Sequence, residues 1–256
     1  MGRSVVNNET LVLQAIRELY DDRDPSAVDR WFALGYRQHS AWAADGPDAL
    51  RGLVLNLSDS FRYDLARVIV DGEFVAVHGT YHGLALAPLV GFNLFRVEEG
   101  KIVEHWDAHT PEAGPTASGW SQTDGPDEPN PFADTELSRA IVTEYAEHVL
   151  VKADYSLLSD YVSESVFFQH NPWIEDGLTA FGRAVHQWHE QGVRYGYDMV
   201  HRVVAEGDFA LVQSSGTFGA PVAFWDLFRV ADNRIVEHWD VIAPIPDELP
   251  HDNGVF

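Results

Sequence analysis

The amino-acid sequence predicts an α+β fold that occurs twice in tandem, each copy a mostly antiparallel sheet covered by about three helices. Two observations support this prediction. The second half of the chain repeats motifs of the first half in the same order, and within each half the segments of helical periodicity come before the segments typical of strands. Helices that are followed by antiparallel strands favour a sheet with helices on one face.

The repeat consists of two blocks. Residues 38–46 recur as residues 169–177, with Gln, His, Trp, Asp and Gly at matching positions. Residues 94–107 recur as residues 227–240, including the sequence Ile-Val-Glu-His-Trp-Asp in both copies. Because the blocks keep their order, the two copies align from end to end.

The segment between the copies has a different composition. Residues 111–131 contain five prolines and three glycines, which disfavour helix and central strand. We therefore predict a first domain at residues 1–110, a Pro/Gly-rich linker at residues 111–131 and a second domain at residues 132–256.

The second copy illustrates the predicted order of elements. Its first helix begins at Thr135, the expected N-cap, and its third follows Asp176, whose carboxylate is expected to cap the first turn. His170 lies at the end of the first strand, where β-branched and aromatic residues favour extended backbone. The later helices are predicted at residues 154–160 and 178–191, and the strands at residues 165–170, 197–205, 209–217, 222–230 and 234–242.

The hairpin of the last two strands determines which side chains share a face. In the first copy we expect Gly100 to adopt a left-handed conformation in a three-residue loop with a bulge, which places Val97 opposite Lys101 and Asn93 opposite His105. In the second copy the equivalent face carries two carboxylates and an imidazole among apolar side chains, because successive side chains alternate across a strand. These residues are Phe224, Asp226, Phe228, Val236, His238 and Asp240.

Composition excludes several classes of protein. With 17 basic and 40 acidic residues the formal net charge is −23, which repels nucleic-acid phosphates and anionic membranes, so we expect neither as a partner. There is no cysteine, which excludes disulfides and thiolate chemistry. Since no apolar run has the length of a signal peptide or a membrane span, we expect a cytoplasmic protein.

The motifs of the second copy are Gln169-His170-Asn171-Pro172, then Asp176-Gly177, then the hairpin from Phe228-Arg229-Val230 to Glu237-His238-Trp239-Asp240. They resemble the SnoaL-like polyketide cyclases of the nuclear-transport-factor-2-like superfamily, and the second copy is the closer match. The resemblance implies cone-shaped domains whose sheets curl around an apolar pocket. It also implies pairing of two such domains, which the tandem copies would supply as a pseudo-dimer within one chain, with further homo-oligomerisation left open.

The resemblance implies a chemistry as well. Cyclases of this type need no cofactor: an aspartate takes a proton from an acidic carbon, polar groups hold the enolate, and an intramolecular aldol addition closes a ring. By position Asp240 matches that aspartate. We therefore expect a small-molecule enzyme of secondary metabolism, such as antibiotic biosynthesis, that acts on an apolar carbonyl compound.

The candidate site residues follow from these patterns. We assign catalytic roles to Asp240, Asp226, His170 and His238, because two neighbouring carboxylates would separate into an acid and a base and an imidazole can orient them. The second copy's substrate-binding wall is predicted from Trp173, Phe224 and Phe228. In the first copy, where Asn93 replaces Asp226, we expect His39, Asn93 and Asp107 to serve structure or ligand binding.

Two alternatives remain open at this stage. The first is a non-catalytic module that binds a small molecule or a protein partner. The second is a metal site formed by His170, Asp226, His238 and Asp240, but no tight motif of the His-Glu-x-x-His kind supports it, so we predict neither metal nor cofactor. A serine hydrolase is disfavoured because the Gly-x-Ser-x-Gly motif is absent.

Overall fold

The computed structural model describes residues 7–256, which form two compact units. Unit 1 comprises the residues up to Ala108 together with Pro246–Phe256, and unit 2 comprises His109–Ile245. Each unit is an α+β domain with one five-stranded sheet, so the predicted fold class is confirmed. The segment predicted as a linker, residues 111–131, lies within unit 2, and the end of the chain lies within unit 1.

Unit 1 contains three helices and the first sheet. Helix α1 begins after Asn7, whose side chain accepts a hydrogen bond from the Thr10 N–H at 2.7 Å and so satisfies one free amide of the first turn. The helices are α1 (Asn8–Tyr20), α2 (Ala27–Trp31) and α3 (Pro47–Leu55). The strands are β1 (Phe32–Gln38), β2 (Arg62–Asp71), β3 (Phe74–His82), β4 (Leu89–Glu98) and β5 (Lys101–Pro111).

Unit 2 repeats this order. The helices are α4 (Thr135–Tyr145), continued by a π-helical segment (Ala146–Val151), a 3-10 turn (Tyr155–Leu157), α5 (Leu158–Tyr161) and α6 (Leu178–Glu190). The strands are β6 (Phe168–Gln169), β7 (Tyr195–Glu206), β8 (Phe209–Phe218), β9 (Ala220–Ala231) and β10 (Arg234–Pro244). Across residues 7–256 no helix is both long and apolar enough to cross a membrane.

Both sheets have the same strand order. In unit 1 it is β1-β5-β4-β3-β2 and in unit 2 it is β6-β10-β9-β8-β7. The first strand of each sheet pairs in parallel with the last, which places Gln38 beside His105 and Gln169 beside His238. This parallel edge brings the Gln-His motif, far away in sequence, next to the Glu-His-Trp-Asp strand.

The beginnings of two helices differ from the prediction. The N-cap of α4 is Asp134, whose carboxylate accepts from two backbone N–H groups of the first turn. Thr135 is already helical, and its hydroxyl accepts a hydrogen bond from the Gly207 N–H at 2.9 Å. Asp176 does not cap α6, because its carboxylate accepts from the Gln169 N–H at 2.8 Å, and the helix begins after Gly177 instead.

The final hairpins have two-residue loops rather than the predicted three-residue loop. The loop residues are Glu99 and Gly100 in unit 1 and Asp232 and Asn233 in unit 2, and their φ angles lie between 49° and 75°. Positive φ at both positions is the conformation of a type I′ turn, which matches the twist of the flanking strands. By itself, this shorter loop would shift the pairing by one residue.

A bulge in β10 compensates for the shorter loop in unit 2. Before the bulge Ile235 lies opposite Val230, and the register then shifts between Ile235 and Glu237. After it Asp240 lies directly opposite Asp226. Phe224, Asp226, Phe228, His238 and Asp240 therefore share one face as predicted, although the loop differs from the expected one. The prediction was wrong for Val236, which lies at the bulge, because Ile235 packs beside Val230 in its place.

Gly216 on β8 provides a test of the packing behind the site. A Cβ atom at this position would lie 2.3 Å from the Gly196 carbonyl oxygen and 2.7 Å from the Phe224 ring. Gly216→Ala is therefore expected to lower the free energy of unfolding by about 1–3 kcal/mol, measured by urea denaturation. Gly196→Ala, whose Cβ would meet nothing within 4 Å, is the control and is expected to change it by less than about 0.5 kcal/mol. Equal effects would contradict this account.

Candidate active site in unit 2

A small cavity of about 20 Å³, room for about one water molecule, lies between the inner face of the unit 2 sheet and its helices. The apolar part of its wall includes side chains from the π-helical segment, from α6 and from the end of β10. The polar part of its wall is formed by residues of β6, β7, β9 and β10 and by the segment that follows β6. The polar residues that line it include Gln169, Asn171, Tyr197, Asp226, His238 and Asp240.

Asp226 and Asp240 lie opposite each other on the neighbouring strands β9 and β10. Residues in this relation point to the same side of the sheet, and here that side is the cavity. Their exposed fractions are only 1% and 7%. Two carboxylates are therefore held together in apolar surroundings, which is costly unless protons or hydrogen-bond donors compensate them.

Asp226 is compensated by two donors. The Nδ1 atom of His238 is 2.9 Å from the Gln169 side-chain oxygen, and since an amide oxygen only accepts, Nδ1 carries a proton. The Nε2 atom of His238 is 3.0 Å from Asp226 Oδ1, a contact that requires one further proton between the two atoms. The Tyr197 hydroxyl lies 3.1 Å from both carboxylate oxygens of Asp226 and donates to them.

Asp240 has a different set of partners. The Asn171 side-chain N–H donates to Asp240 Oδ2 at 2.6 Å, and the Asn171 oxygen accepts from the Trp173 N–H at 2.8 Å, which fixes the orientation of the amide. Burial raises the pKa of the Asp240 carboxyl to about 6; the charge of Asp226 adds to this rise, while His238 and the Asn171 hydrogen bond oppose it. Asp240 is therefore much more basic than an exposed aspartate.

Three tyrosines of the cavity were missed by the sequence reasoning. Tyr145 comes from α4, and Tyr195 and Tyr197 come from β7. The two tyrosines on β7 are two residues apart, a spacing that places both on one face of a strand and could have indicated them. Burial raises the pKa of all three hydroxyls, so they remain protonated hydrogen-bond donors.

The predicted aromatic wall is only partly at the cavity. Phe228 lines it and stacks on His238 with ring centroids 4.7 Å apart. Phe224 is fully buried and stacks on Tyr197 at 4.0 Å, so it contacts a cavity residue. Trp173 is 54% exposed and stacks on Phe218 at 5.9 Å, which places it outside the residues that line the cavity.

His170 does not join the other predicted catalytic residues. Its Nδ1 atom is 2.7 Å from the Ser121 carbonyl oxygen, its Nε2 atom is 2.9 Å from Glu237, and its ring stacks on Trp239. Neighbouring side chains of an extended segment point to opposite sides, so Gln169 lies at the cavity and His170 does not. The sequence pattern did not distinguish these two orientations.

Three of the predicted residues could hold a metal ion together. One ligand atom each from Asp226, His238 and Asp240 lies within 4.8 Å of the other two, and this nitrogen and oxygen set suits zinc or iron. His170, the fourth residue of the metal alternative, is not part of the group. Tyr197 and Asn171 also donate hydrogen bonds to the two carboxylates.

Unit 1 has the same arrangement with one carboxylate replaced. His105 lies 2.9 Å from the Gln38 side-chain oxygen and 3.1 Å from the Asn93 side-chain oxygen. The Tyr81 hydroxyl donates to Asn93 at 2.9 Å, as Tyr197 does to Asp226. Asp107, the counterpart of Asp240, is half-buried. Unit 1 therefore keeps the imidazole and one aspartate but lacks the pair of carboxylates.

Aromatic rings also pack on this face of unit 1. The Tyr20 ring, at the end of α1, has its centroid 5.2 Å from that of Phe61, 5.9 Å from that of Tyr63 and 6.2 Å from that of Tyr81. Burial raises the pKa of Tyr20 to about 12. A cluster of four rings thus occupies the face of the unit 1 sheet that corresponds to the cavity in unit 2.

One family model matches part of this chain. Residues 13–105, which lie in unit 1, match the family model of the SnoaL-like domain. That the second copy is the closer match stays a prediction. A search of curated proteins found no match.

Several solved structures are similar to this chain over less than half of its length. A nuclear-transport-factor-2-like protein of unknown function from Cytophaga hutchinsonii is 14% identical, with a TM-score of 0.39, over 43% of this chain and 96% of its own. A protein from Acidithiobacillus ferrooxidans, provisionally named a polyketide cyclase, is 16% identical, with a TM-score of 0.35, over 42% and 91%. One from Kribbella flavida, provisionally named a ketosteroid isomerase, is 19% identical, with a TM-score of 0.37, over 45% and 84%.

Proposed function

We propose that unit 2 is a cofactor-independent cyclase or isomerase that acts on an apolar, polyketide-like carbonyl compound by proton transfer through Asp240. One observation carries the proposal. A carboxyl group with a pKa raised to about 6 lies in an apolar cavity, beside a second carboxylate that has its own proton donors.

Asp240 has the properties of a general base for carbon acids. A base works best when its pKa lies near the working pH, because it is then both ionised and strongly proton-accepting. At pH 7 a group with a pKa of about 6 is mostly ionised. Asn171 holds one carboxylate oxygen of Asp240 at 2.6 Å, which leaves the other oxygen for the proton of the substrate.

The enolate oxygen also needs hydrogen-bond donors. The Tyr197 hydroxyl and the His238 Nε2 proton both lie at the cavity and both contact Asp226. Each of these groups has one proton to donate, and in the structure that proton is directed at Asp226. We assign the oxyanion role to these two groups: each proton would be shared between Asp226 and the enolate oxygen as the negative charge develops.

The proposed reaction is balanced within the site. Asp240 takes the proton of the C–H bond next to a carbonyl, and the bonding electrons move onto the carbonyl oxygen to give an enolate. In a cyclisation the enolate carbon attacks a second carbonyl of the same molecule, and the new alkoxide takes the proton from Asp240. In an isomerisation Asp240 returns the proton to a different carbon of the enolate.

The cavity favours a neutral substrate. Two buried carboxylates repel anions, and apolar and aromatic side chains make up much of the wall. The cavity has a volume of about 20 Å³, far below the roughly 300–1,000 Å³ of small-molecule sites, so a substrate can enter only if the side chains that line the cavity move apart. We therefore expect a compact, uncharged carbonyl compound.

The proposal is tested with 2-tetralone, an apolar two-ring ketone with acidic C–H bonds next to its carbonyl. We expect the protein to accelerate exchange of these protons for deuterium in D₂O above the rate in buffer alone, as followed by proton NMR. Ligand binding is measured separately with 2-naphthol, the stable aromatic counterpart of the tetralone enol. Binding of 2-naphthol without faster exchange would instead support the non-catalytic binding module.

Tyr197 makes a specific contribution in this account. Tyr197→Phe removes the hydroxyl that donates to Asp226 and that we assign to the enolate oxygen. Loss of one hydrogen bond between uncharged groups costs about 0.5–1.5 kcal/mol, so 2-naphthol should bind about two- to tenfold more weakly in a fluorescence titration. Tyr81→Phe, the corresponding change in unit 1, is the matched control, and an equal loss there would contradict the assignment of the site to unit 2.

A further inference from the structure

Two short segments bind a copy that they do not directly follow in the chain. The first strap, residues 116–125, follows β5 of the first copy but belongs to unit 2. The second strap, residues 246–256, follows β10 of the second copy but belongs to unit 1. Both straps contact the Gln-His motif of the unit to which they belong.

In unit 2 the first strap contacts the motif histidine. The Ser121 carbonyl oxygen lies 2.7 Å from His170 Nδ1. On the other side of the ring, Nε2 lies 2.9 Å from Glu237, which also pairs with Arg229 at 2.7 Å. The His170 ring lies flat against Trp239, with centroids 4.7 Å apart.

In unit 1 the second strap makes the same contact. The Gly254 carbonyl oxygen lies 2.9 Å from His39 Nδ1, and Nε2 lies 2.9 Å from Glu104. Glu104 pairs with Arg96 at 2.9 Å, and the His39 ring stacks on Trp106 at 4.9 Å. Ser121 and Gly254 occupy equivalent positions, because each follows the last-strand tryptophan of its own copy by 15 residues. The same contact thus occurs twice, each time with the strap that follows the other copy.

A second pair of contacts repeats this exchange. The Ser118 hydroxyl donates to the Gln169 carbonyl oxygen at 2.6 Å, and the Asn253 side chain donates to the Gln38 carbonyl oxygen at 2.9 Å. In each unit the acceptor is the backbone carbonyl oxygen of the motif glutamine. In unit 2 the first strap also donates to the carbonyl oxygen of Pro172, from the Ala117 N–H at 3.0 Å.

The segment held by the first strap carries two groups of the candidate active site. Gln169 orients His238, and Asn171 holds Asp240. The contacts at Gln169 and Pro172 lie at the two ends of this segment. A strap that fixes both ends therefore fixes the backbone from which both side chains reach the cavity.

We propose that the two copies exchange their straps, so that each strap completes the copy it does not follow, and that the first strap is a positioning element of the unit 2 site. The exchange of straps is independent of the proposed reaction. Only the positioning role of the first strap rests on the proposed function.

The test uses two matched variants of the full chain, Ser118→Ala and Asn253→Ala, and amide hydrogen exchange read by mass spectrometry. Each variant removes one hydrogen bond to the motif glutamine. In Ser118→Ala we expect about fivefold faster exchange in residues 168–177 and no change in residues 37–46. In Asn253→Ala we expect the opposite pattern. Faster exchange in the copy that each strap directly follows, or in neither copy, would overturn the proposal.

Two further measurements make the test decisive. A chain that ends at Ile245 lacks the second strap, and we expect unit 1 to lose protection throughout while residues 168–177 of unit 2 keep theirs; unchanged protection of unit 1 would overturn the exchange. For the positioning role, Ser118→Ala is expected to weaken 2-naphthol binding at least about threefold, and Asn253→Ala to leave it unchanged. Equal binding by the two variants would remove the positioning role but leave both the exchange and the proposed reaction intact.

Discussion

Replacing Asp240 with asparagine is expected to lower the deuterium-exchange activity on 2-tetralone by at least about 100-fold, the usual contribution of a general base. Asparagine keeps the size of the side chain and still offers an oxygen to the Asn171 N–H, but it cannot accept a proton. Because the cavity keeps its shape, 2-naphthol should still bind. The variant therefore separates catalysis from binding.

Asp107→Asn in unit 1 is the internal control for this result. In unit 1, Asn93 takes the place of Asp226, so Asp107 has an amide where Asp240 has a second carboxylate. The aromatic cluster around Tyr20 packs on the same face of the unit 1 sheet. We expect the exchange rate of this variant to stay close to that of the wild-type protein. Equal losses in the two variants would refute the division of labour between the copies.

The stability of the Asp240→Asn variant should depend on pH in a predictable way. The Asp240 carboxyl has a pKa raised from 3.8 to about 6 in the folded protein, so the folded state holds this proton more tightly than the unfolded chain does. The stabilisation from protonation is fully present below about pH 4 and is lost as the pH rises through about 6. The free energy of unfolding of the variant, minus that of the wild type, should grow by about 2–2.5 kcal/mol from pH 4 to pH 7.

Urea denaturation at a series of pH values measures this difference. Asp232→Asn is the matched control, since Asp232 is exposed in the β9–β10 loop and asparagine tolerates its left-handed backbone. We expect no comparable growth for the control. A constant difference for Asp240→Asn over the same range would show that the buried carboxyl does not carry this linkage.

Much of the fold was predictable because the chain contains two copies of the same domain, which can be compared with each other. Two copies of the Gln-His and Glu-His-Trp-Asp motifs identified the repeat, and period-two alternation identified the long strands. The predicted length of the final hairpin loop was wrong by one residue, because Glu99 adopts a positive φ, which a glutamate side chain does not indicate. The bulge after Ile235 restored the predicted face, although nothing in the local residue types indicates it.

The candidate site was predictable only in part. Alternation along one hairpin placed Asp226, His238 and Asp240 together. The prediction for His170 depended on which side chains at the end of a two-residue strand face the cavity, and sequence periodicity cannot resolve this for so short a strand. The two tyrosines on β7 reach the cavity from a strand that is distant in sequence. The placement of residues 111–131 within unit 2 was not predicted either, because a Pro/Gly-rich composition indicates irregular backbone but not the surface to which that backbone binds.

The central claim is that Asp240 is a base tuned by burial in the unit 2 cavity. The most direct measurement is the titration of its carboxyl carbon by ¹³C NMR, with the resonance assigned by its loss in Asp240→Asn. The account predicts a midpoint near pH 6. A midpoint near pH 4, the value of an exposed aspartate, would contradict it.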